Sequence, residues 1–398
     1  LAVFPLTGVL PQEKIAAAYG SELILLMLGG FILSAAMERS GAHRRIALGM
    51  VNVIGGTSSR RIVLGFMAAT AALSMWISNT ATVLMMLPIA LAVITQSPDK
   101  KLAIPLLLAI AYGSSIGGLG TPIGTPPNLV FMQQYESFTG SAVSFSQWMS
   151  WGLPVVLIFL PIAGLWLTRK LDYRGELTIP PAGDWRPEEY RVLIVFGLTA
   201  LAWITRLEPF GGWSTWLGLK GANDAIVALT AVVILFLVPN GRGGKLIDWQ
   251  TAERVPWGIL ILFAAGIAIA QAFVESGLSR AIADQLAVLA SLHPLVMIAT
   301  IALIVTFLTE TTSNTATTIL LMPILASAAL GAGIDPALLM VPAAMSASCA
   351  FMLPVATAPN AIVFGSGHVT VANMVREGLA LNFIGVVVIT LVCYFLVM

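Results

Sequence analysis

The sequence SNTAT occupies residues 78–82 and returns unchanged at residues 313–317. Each copy is followed by a proline at the same distance, Pro88 and Pro323, so both features repeat at an offset of 235 residues (313 minus 78). Two matches in the same order are best explained by a duplicated structural unit. We therefore predict that the chain is built from two related halves.

A second pair of related stretches follows the first. Residues 122–128 read PIGTPPN and residues 354–360 read PVATAPN, at an offset of 232 (354 minus 122). Proline lacks a backbone N–H donor, and its ring clashes with the preceding helical turn. Each stretch therefore predicts a break in a membrane helix, and unwound backbone is tolerated there only inside protein or beside a cavity.

The composition is that of a membrane protein. Of 398 residues, 58% are hydrophobic and 10% are charged, and the mean hydropathy is +0.92, whereas soluble domains carry roughly 25% charged residues. The net charge of +1 gives no basis for a nucleic-acid partner. The two cysteines, Cys349 and Cys393, lie in apolar surroundings and do not indicate a disulfide framework.

Long apolar stretches predict an all-α polytopic protein in a lipid bilayer, which we place in a bacterial inner membrane. A spanning helix needs about 20 apolar residues. The candidate stretches are 23–37, 102–135, 148–168, 192–205, 225–238, 257–274, 336–364 and 379–398. Two further stretches of mixed polarity, 42–59 and 276–292, predict helices that lie along the membrane surface.

The positions of lysine and arginine predict two hairpins that enter the membrane and return. Residues 62–95 carry no charge but lie between basic pairs at 60–61 and 100–101. Because basic residues favour the cytoplasmic side, a single crossing would misplace one pair. We therefore predict a re-entrant hairpin that opens to the cytoplasm, and a second one, residues 294–330, that opens to the outside. This is an inverted-topology repeat, whose ligand site lies near the middle of the membrane.

The chemistry available at the motifs is that of uncharged oxygens. No lysine, arginine or histidine occurs near them, and Glu310 is the one acidic residue. The hydroxyl and amide side chains are Ser74, Ser78, Asn79, Thr80, Thr125, Thr309, Thr312, Ser313, Asn314, Thr315 and Thr357. Such oxygens suit an alkali or alkaline-earth cation. The four-residue spacing of Ser74 and Ser78, and of Thr309 and Ser313, would place each pair on one helical face.

Each SNT sequence also opens the returning arm of its hairpin. A helix N-terminus presents unpaired N–H groups and about half a positive charge, which favours an anion. Two such ends facing one another suit a molecule with a negative group at each end. Mobile cations bound beside it would neutralise the charge, which gives a physical reason for cotransport.

Each residue also has a plainer interpretation. A single SNT sequence is most often a helix cap or an interhelical hydrogen bond, and its duplication is what favours a site. Glu310 is either a coupling group or a structural acid bonded to backbone N–H groups of the hairpin. Trp148, Trp151 and Trp257 are interpreted as anchors at the membrane interface.

The duplicated SNTAT sequences, with the GTPPN and ATAPN loops, resemble the divalent anion/sodium symporter family. The resemblance extends over residues 1–398, and because the sequence begins at Leu1 we expect a further N-terminal segment. It implies two sodium sites and a substrate site. The first sodium site would use Ser74, Ser78, Asn79 and the Gly124 carbonyl. The second would use Thr309, Thr312, Asn314 and the Ala356 carbonyl. Substrate would contact Ser78, Asn79, Thr80, Thr125, Ser313, Asn314, Thr315 and Thr357.

The resemblance also implies a homodimer with an elevator mechanism. Residues 1–59 and 189–292 would form a fixed scaffold, residues 60–168 and 293–398 a moving transport domain, and residues 169–188 a cytoplasmic linker. Succinate, malate or fumarate would suit two facing helix ends best. Citrate, sulfate and sodium-independent exchange remain open.

Three other classes fit less well. A sodium/proton antiporter would carry a titrating acid or lysine in the membrane, for which only Glu310 could serve. An intramembrane enzyme would need a nucleophile with a base, and no His or Asp lies near these serines in the sequence. A channel is disfavoured because the two copies are predicted to point in opposite directions and so do not form a ring.

Overall fold

The structure is a computed structural model that describes residues 1–55, 58–175, 183–207, 211–219, 221–278 and 293–398. Within these residues, every secondary-structure element longer than an isolated β-bridge is a helix. Seven helical segments in the described ranges are long and apolar enough to cross a membrane. The predicted all-α polytopic fold is therefore confirmed. The predicted surface helix at 276–292 falls almost entirely outside the described residues.

The described helices fall into two halves along the chain. The first half comprises α1 (Val3–Leu6), α2 (Gln12–Tyr19), α3 (Glu22–Ser40), α4 (Ala42–Ile54), α5 (Ser59–Ser74), α6 (Asn79–Gln96), α7 (Ala103–Gly117), the 3-10 helix η1 (Gly118–Gly120), α8 (Pro126–Thr139) and α9 (Phe145–Thr168). The second comprises α10 (Pro187–Ile204), α11 (Gly212–Trp216), α12 (Asp224–Leu237), α13 (Trp249–Ala252), α14 (Trp257–Glu275), α15 (Pro294–Thr309), α16 (Asn314–Gly331), α17 (Ala337–Ala347), α18 (Ala358–Gly365) and α19 (Val371–Leu396).

Both copies of the SNTAT motif lie at the turn between two helices. Helix α5 ends at Ser74 and α6 begins at Asn79, while α15 ends at Thr309 and α16 begins at Asn314. The asparagine is the first helical residue in each copy because the serine before it is the N-cap. The turn therefore ends at the serine, and the helix of each returning arm begins at the asparagine.

This geometry changes how the serine pairs are related. Ser74 ends one helix and Ser78 caps the next, so a turn separates them. The prediction that their four-residue spacing places them on one helical face is therefore wrong. The same holds for Thr309 and Ser313.

Both proline-containing stretches break their helices as predicted. After α7, the backbone passes through η1 and becomes extended at Thr121 before Pro126 starts α8. The second break separates α17 from α18. Prolines stand at the first or second position of both outgoing helices, where a missing N–H costs nothing.

Two equivalent asparagines hold the broken segments. The buried amides of Asn128 and Asn360 each donate to two loop carbonyls, at 2.8–3.0 Å. The accepting carbonyls belong to Gly118, Thr121, Ala350 and Leu353. Each partner in the second loop follows its counterpart in the first by 232 residues (for example, 360 minus 128), so the duplication in sequence is also a duplication of hydrogen bonds.

Helix α9 braces the first break. The indole of Trp148 donates to the Leu119 carbonyl at 3.0 Å, and a β-carbon on Gly152 would lie 2.2 Å from that same oxygen. Trp148 is fully buried, so its interpretation as a membrane-interface anchor is wrong. Its N–H instead satisfies a carbonyl that the break leaves without a helical partner.

Candidate functional site

The two helical turns and the two breaks surround one cavity of about 1010 Å³. Four helices, α6, α8, α16 and α18, begin at its wall. Their N-cap residues, all of which line the cavity, are Ser78, Thr125, Ser313 and Thr357. Because each helix N-terminus carries partial positive charge, four of them at one cavity favour an anion there.

Most of the residues predicted for the site share this cavity. The lining includes Ser78, Asn79, Thr80, Gly124, Thr125, Thr312, Ser313, Asn314, Thr315, Ala356 and Thr357. The other two, Ser74 and Thr309, are fully buried directly behind the asparagines of the motifs. The structure therefore brings the predicted residues of both halves together around one space.

In the first half, predicted sodium ligands converge beside Gly118. The Ser74 hydroxyl donates to Asn79 Oδ1 at 2.5 Å. A β-carbon on Gly118 would lie 3.0 Å from Asn79 Oδ1 and 3.2 Å from the Gly124 carbonyl oxygen. These oxygens are hard ligands of the kind that bind an alkali cation. The Ser78 hydroxyl accepts from the N–H three residues later and so caps α6.

The second half repeats the central contact. The Thr309 hydroxyl lies 2.7 Å from Asn314 Oδ1 and 2.9 Å from the Ala347 carbonyl. Its single hydrogen can be donated to one of these acceptors at a time. The Asn314 carboxamide oxygen therefore remains available to a cation whenever Thr309 donates to Ala347.

The tip of the second turn differs from the first. Ser313 makes no side-chain cap to the backbone of α16, so one more N–H at the start of this helix is left without a side-chain partner. The Thr312 hydroxyl bonds to the Leu308 carbonyl at 2.9 Å and to the Thr317 hydroxyl at 2.6 Å. Thr312 thus lines the cavity while its hydroxyl is engaged within its own hairpin.

Glu310 is a structural acid in this arrangement. Its carboxylate is 3% exposed and accepts backbone N–H bonds at 2.8, 2.9 and 3.0 Å and a side-chain amide bond at 2.8 Å. The donors are Phe351, Met352, Leu353 and the side chain of Asn382. Three of these donors belong to the second break, between α17 and α18, whereas the structural alternative for Glu310 had its donors in the hairpin.

The first half holds its loop differently. Met75 is the counterpart of Glu310 (310 minus 235), and its carbonyl accepts a hydrogen bond from the Thr121 hydroxyl. In the first half a hydroxyl therefore joins the broken loop to the preceding turn, whereas in the second half a carboxylate does so. The two halves therefore share the asparagine hydrogen bonds that hold their loops but differ in this additional contact.

Contacts between the halves also join the two breaks. The Tyr112 hydroxyl of α7 donates to the Phe351 carbonyl of the second break at 2.7 Å. Ser348 of that break lies 3.5 Å, between hydroxyl oxygens, from Thr125 at the start of α8. Both breaks are consequently positioned as one unit around the cavity.

Several cavity residues were missed by the sequence reasoning. Trp76 lies in the first turn, Glu38 and Arg39 lie at the end of α3, and Thr251 and Arg254 precede α14. None belongs to a repeated motif, and only Trp76 is near one in sequence. A charge beside a predicted span was the one signal available, and it does not distinguish a cavity wall from an ordinary loop.

Taken together, the helical breaks, the facing helix ends and the shared cavity define a polytopic membrane carrier. A family model described as "Citrate transporter" matches residues 1–340. The sodium-dependent dicarboxylate transporter SdcS of Staphylococcus saprophyticus is 42% identical over 423 residues, covering 100% of this chain and 80% of that protein. The SdcS of Staphylococcus aureus strain MRSA252 is 40% identical over 422 residues, with the same coverage.

The chain therefore belongs to the citrate transporter family, among the divalent anion/sodium symporters that its paired motifs resemble. Two solved transporters share its fold. The YdaH transporter of Alcanivorax borkumensis has a TM-score of 0.68 at 15% identity, covering 96% of this chain and 87% of that one. MtrF of Neisseria gonorrhoeae has a TM-score of 0.67 at 16% identity, covering 99% and 84%.

Proposed function

We propose that this protein is a sodium-coupled secondary transporter of C4-dicarboxylates such as succinate, malate or fumarate. The observation that carries the proposal is the convergence of four helix N-termini on one cavity, with an oxygen cluster behind the asparagine of each motif. The relatives that are 40–42% identical over the whole chain are named sodium-dependent dicarboxylate transporters.

The mechanism follows from charge. The substrate carboxylates lie against the starts of α6 and α16, where Asn79, Thr80, Asn314 and Thr315 supply N–H groups and polar side chains. Partial charges at helix ends do not fully neutralise a dianion. At least two sodium ions, held at the clusters around Asn79 and Asn314, supply the remaining positive charge and are transported with it. Substrate and sodium therefore bind cooperatively.

Uptake by the purified protein in liposomes tests this function. We expect labelled succinate to accumulate when sodium is present outside and to fall to the level of protein-free liposomes when potassium replaces it. The reason is that an uncompensated dianion is costly to desolvate. Equal uptake in sodium and potassium would rule out symport and favour a sodium-independent exchanger.

Citrate is the second candidate substrate because the matching family model carries its name. A cavity of about 1010 Å³ also leaves room for a third carboxylate. Competition of labelled succinate by unlabelled malate, fumarate, citrate and sulfate orders these anions. Stronger competition by citrate than by any C4-dicarboxylate would reassign the substrate.

We also propose the homodimer, the elevator motion and the division into scaffold and transport domain. Trp76 of the first turn contacts Phe196 of α10 edge to face, with ring centroids 5.3 Å apart. Under the proposed division, this contact joins the mover (residues 60–168) to the scaffold (residues 189–292). The hairpin at 62–95 opens to the cytoplasm in this proposal, and the one at 294–330 opens to the outside.

Crosslinking across this contact tests the motion. Cysteines replacing Trp76 and Phe196, in a background where both native cysteines are serine, are expected to lose most uptake on treatment with Hg²⁺ and to regain it with dithiothreitol. A bridge between mover and scaffold prevents their relative displacement. The two single-cysteine variants serve as controls. Undiminished uptake by fully crosslinked protein would exclude a motion that separates these residues.

A further inference from the structure

Part of the cavity wall carries charged residues. This wall is formed by the end of α3 and the segment before α14, and its polar residues are Ser34, Glu38, Arg39, Thr251 and Arg254. It lies outside the repeated motifs, and no residue on it was predicted for the site. Its charged groups face the same space that holds the two asparagines.

One of the two arginines on this wall is already neutralised. Arg39 pairs with Asp248 at 2.6 Å and donates to the Thr251 hydroxyl at 3.1 Å. Hydrogen bonds from Thr251, together with Arg39, hold the pKa of the Asp248 carboxyl below its usual value. Asp248 is therefore ionised at neutral pH, and Arg39 has little charge left to offer an anion.

Arg254 is different. Its side chain is exposed, and its guanidinium makes no hydrogen bond or ion pair with any residue that the structure describes. Glu38 lies on the same wall without forming an ion pair with it. Among the described residues that line the cavity, Arg254 is thus the one cation without an acidic partner.

We propose that Arg254 forms an outer subsite that binds one carboxylate of the dicarboxylate as it passes between bulk water and the central site. This inference rests on the proposed transport of a dicarboxylate. A guanidinium presents a planar pair of donors that matches a carboxylate. Because the group is exposed, the contact is weak and is screened by salt, so it captures the anion without retaining it.

Glu38 sets the strength of this subsite. Glu38 is exposed and lines the cavity, and the Ser34 hydroxyl donates to its carboxylate at 3.5 Å. A negative charge on the same wall opposes the dianion and shortens its stay beside Arg254. Neutralising Glu38 should therefore strengthen binding of the dianion at this subsite, and neutralising Arg254 should weaken it.

Transport kinetics from each side of the membrane test the subsite. Uptake and efflux of labelled succinate are measured at saturating sodium in proteoliposomes of defined orientation. For R254Q we expect KM to rise about three- to fivefold from one side only, with kcat within about twofold of wild type. R254K retains most of the effect of arginine because it keeps the charge, and E38Q lowers KM from the same side.

High ionic strength distinguishes an electrostatic effect of the R254Q substitution from a structural one. In about 1 M choline chloride, where charges interact over only about 3 Å, the difference between R254Q and wild type should vanish. Arg60→Gln is the matched control, because Arg60 is an exposed arginine that does not line the cavity. It should leave KM unchanged from both sides.

The failures of the two proposals are distinguishable. If wild-type protein shows no sodium-dependent uptake, the proposed function itself fails. If wild type transports but R254Q matches Arg60→Gln at low ionic strength, the outer subsite is overturned. It is equally overturned if R254Q abolishes succinate-dependent thermal stabilisation, because Arg254 would then belong to the central site.

Discussion

Asn79→Ala and Asn314→Ala are each expected to reduce sodium-dependent succinate uptake by roughly 100-fold. Each substitution removes a carboxamide that faces the cavity at the start of a helix. It deletes a predicted sodium ligand and a substrate contact together. Because the ions and the dianion bind cooperatively in the proposed mechanism, losing either asparagine weakens the binding of both sodium and substrate.

The fold should survive these substitutions. In each copy the carboxamide oxygen has one internal partner, the hydroxyl of Ser74 or Thr309. Size-exclusion profiles and melting temperatures close to those of wild type would show this. Asn52→Ala is a matched control because Asn52 is exposed on α4, away from the cavity. Full activity of Asn314→Ala would remove the second half from the site.

The second large effect concerns Glu310, whose replacement by alanine should abolish uptake and lower the melting temperature. Four hydrogen bonds end on this buried carboxylate. Without it, three backbone N–H groups of the second break lose their acceptor, at a cost on the order of 5 kcal/mol. The same loop carries the Ala356 carbonyl and Thr357, so its release also displaces predicted ligands of the site.

Graded variants distinguish fastening of the loop from a role of the charge in coupling. Glu310→Gln keeps one acceptor oxygen but turns a donor toward the Leu353 N–H, so we expect intermediate stability and a several-fold rise in the sodium concentration for half-maximal uptake. Glu13→Gln, at an exposed position, is the control. If Glu310→Gln had wild-type stability but no transport, Glu310 would be a coupling group.

Much of this site could be predicted because its elements are local. The serine of each motif stands at the N-cap position, so α6 and α16 begin at the asparagines. Proline interrupts both later helices for reasons contained in its own ring. The prediction that Ser74 and Ser78 share a helical face was wrong because helical spacing does not hold across a turn. The two serines are four residues apart, yet Ser74 ends α5 and Ser78 precedes α6.

Other features depend on contacts between distant segments. Tryptophan is a residue type that often anchors helices at the membrane interface, but Trp148 is buried against the first break. Glu310 was identified as a candidate, but its donors lie more than 40 residues away in sequence, as the bond to Phe351 shows with a separation of 41. Arg254 belongs to no motif, and only the folded chain places it on the cavity wall.

The amino-acid sequence by itself determined the membrane class, the duplication, the helix starts at the SNT motifs and the two helical breaks. The duplication follows from the repeated motifs, and the others follow from hydropathy, capping or proline chemistry within a few residues. The tertiary structure alone decided that four helix ends share one cavity and that a carboxylate fastens the second loop. It also placed on the cavity wall an arginine that has no ion-pair partner among the described residues. These depend on how helices far apart in the chain pack, which no local pattern specifies.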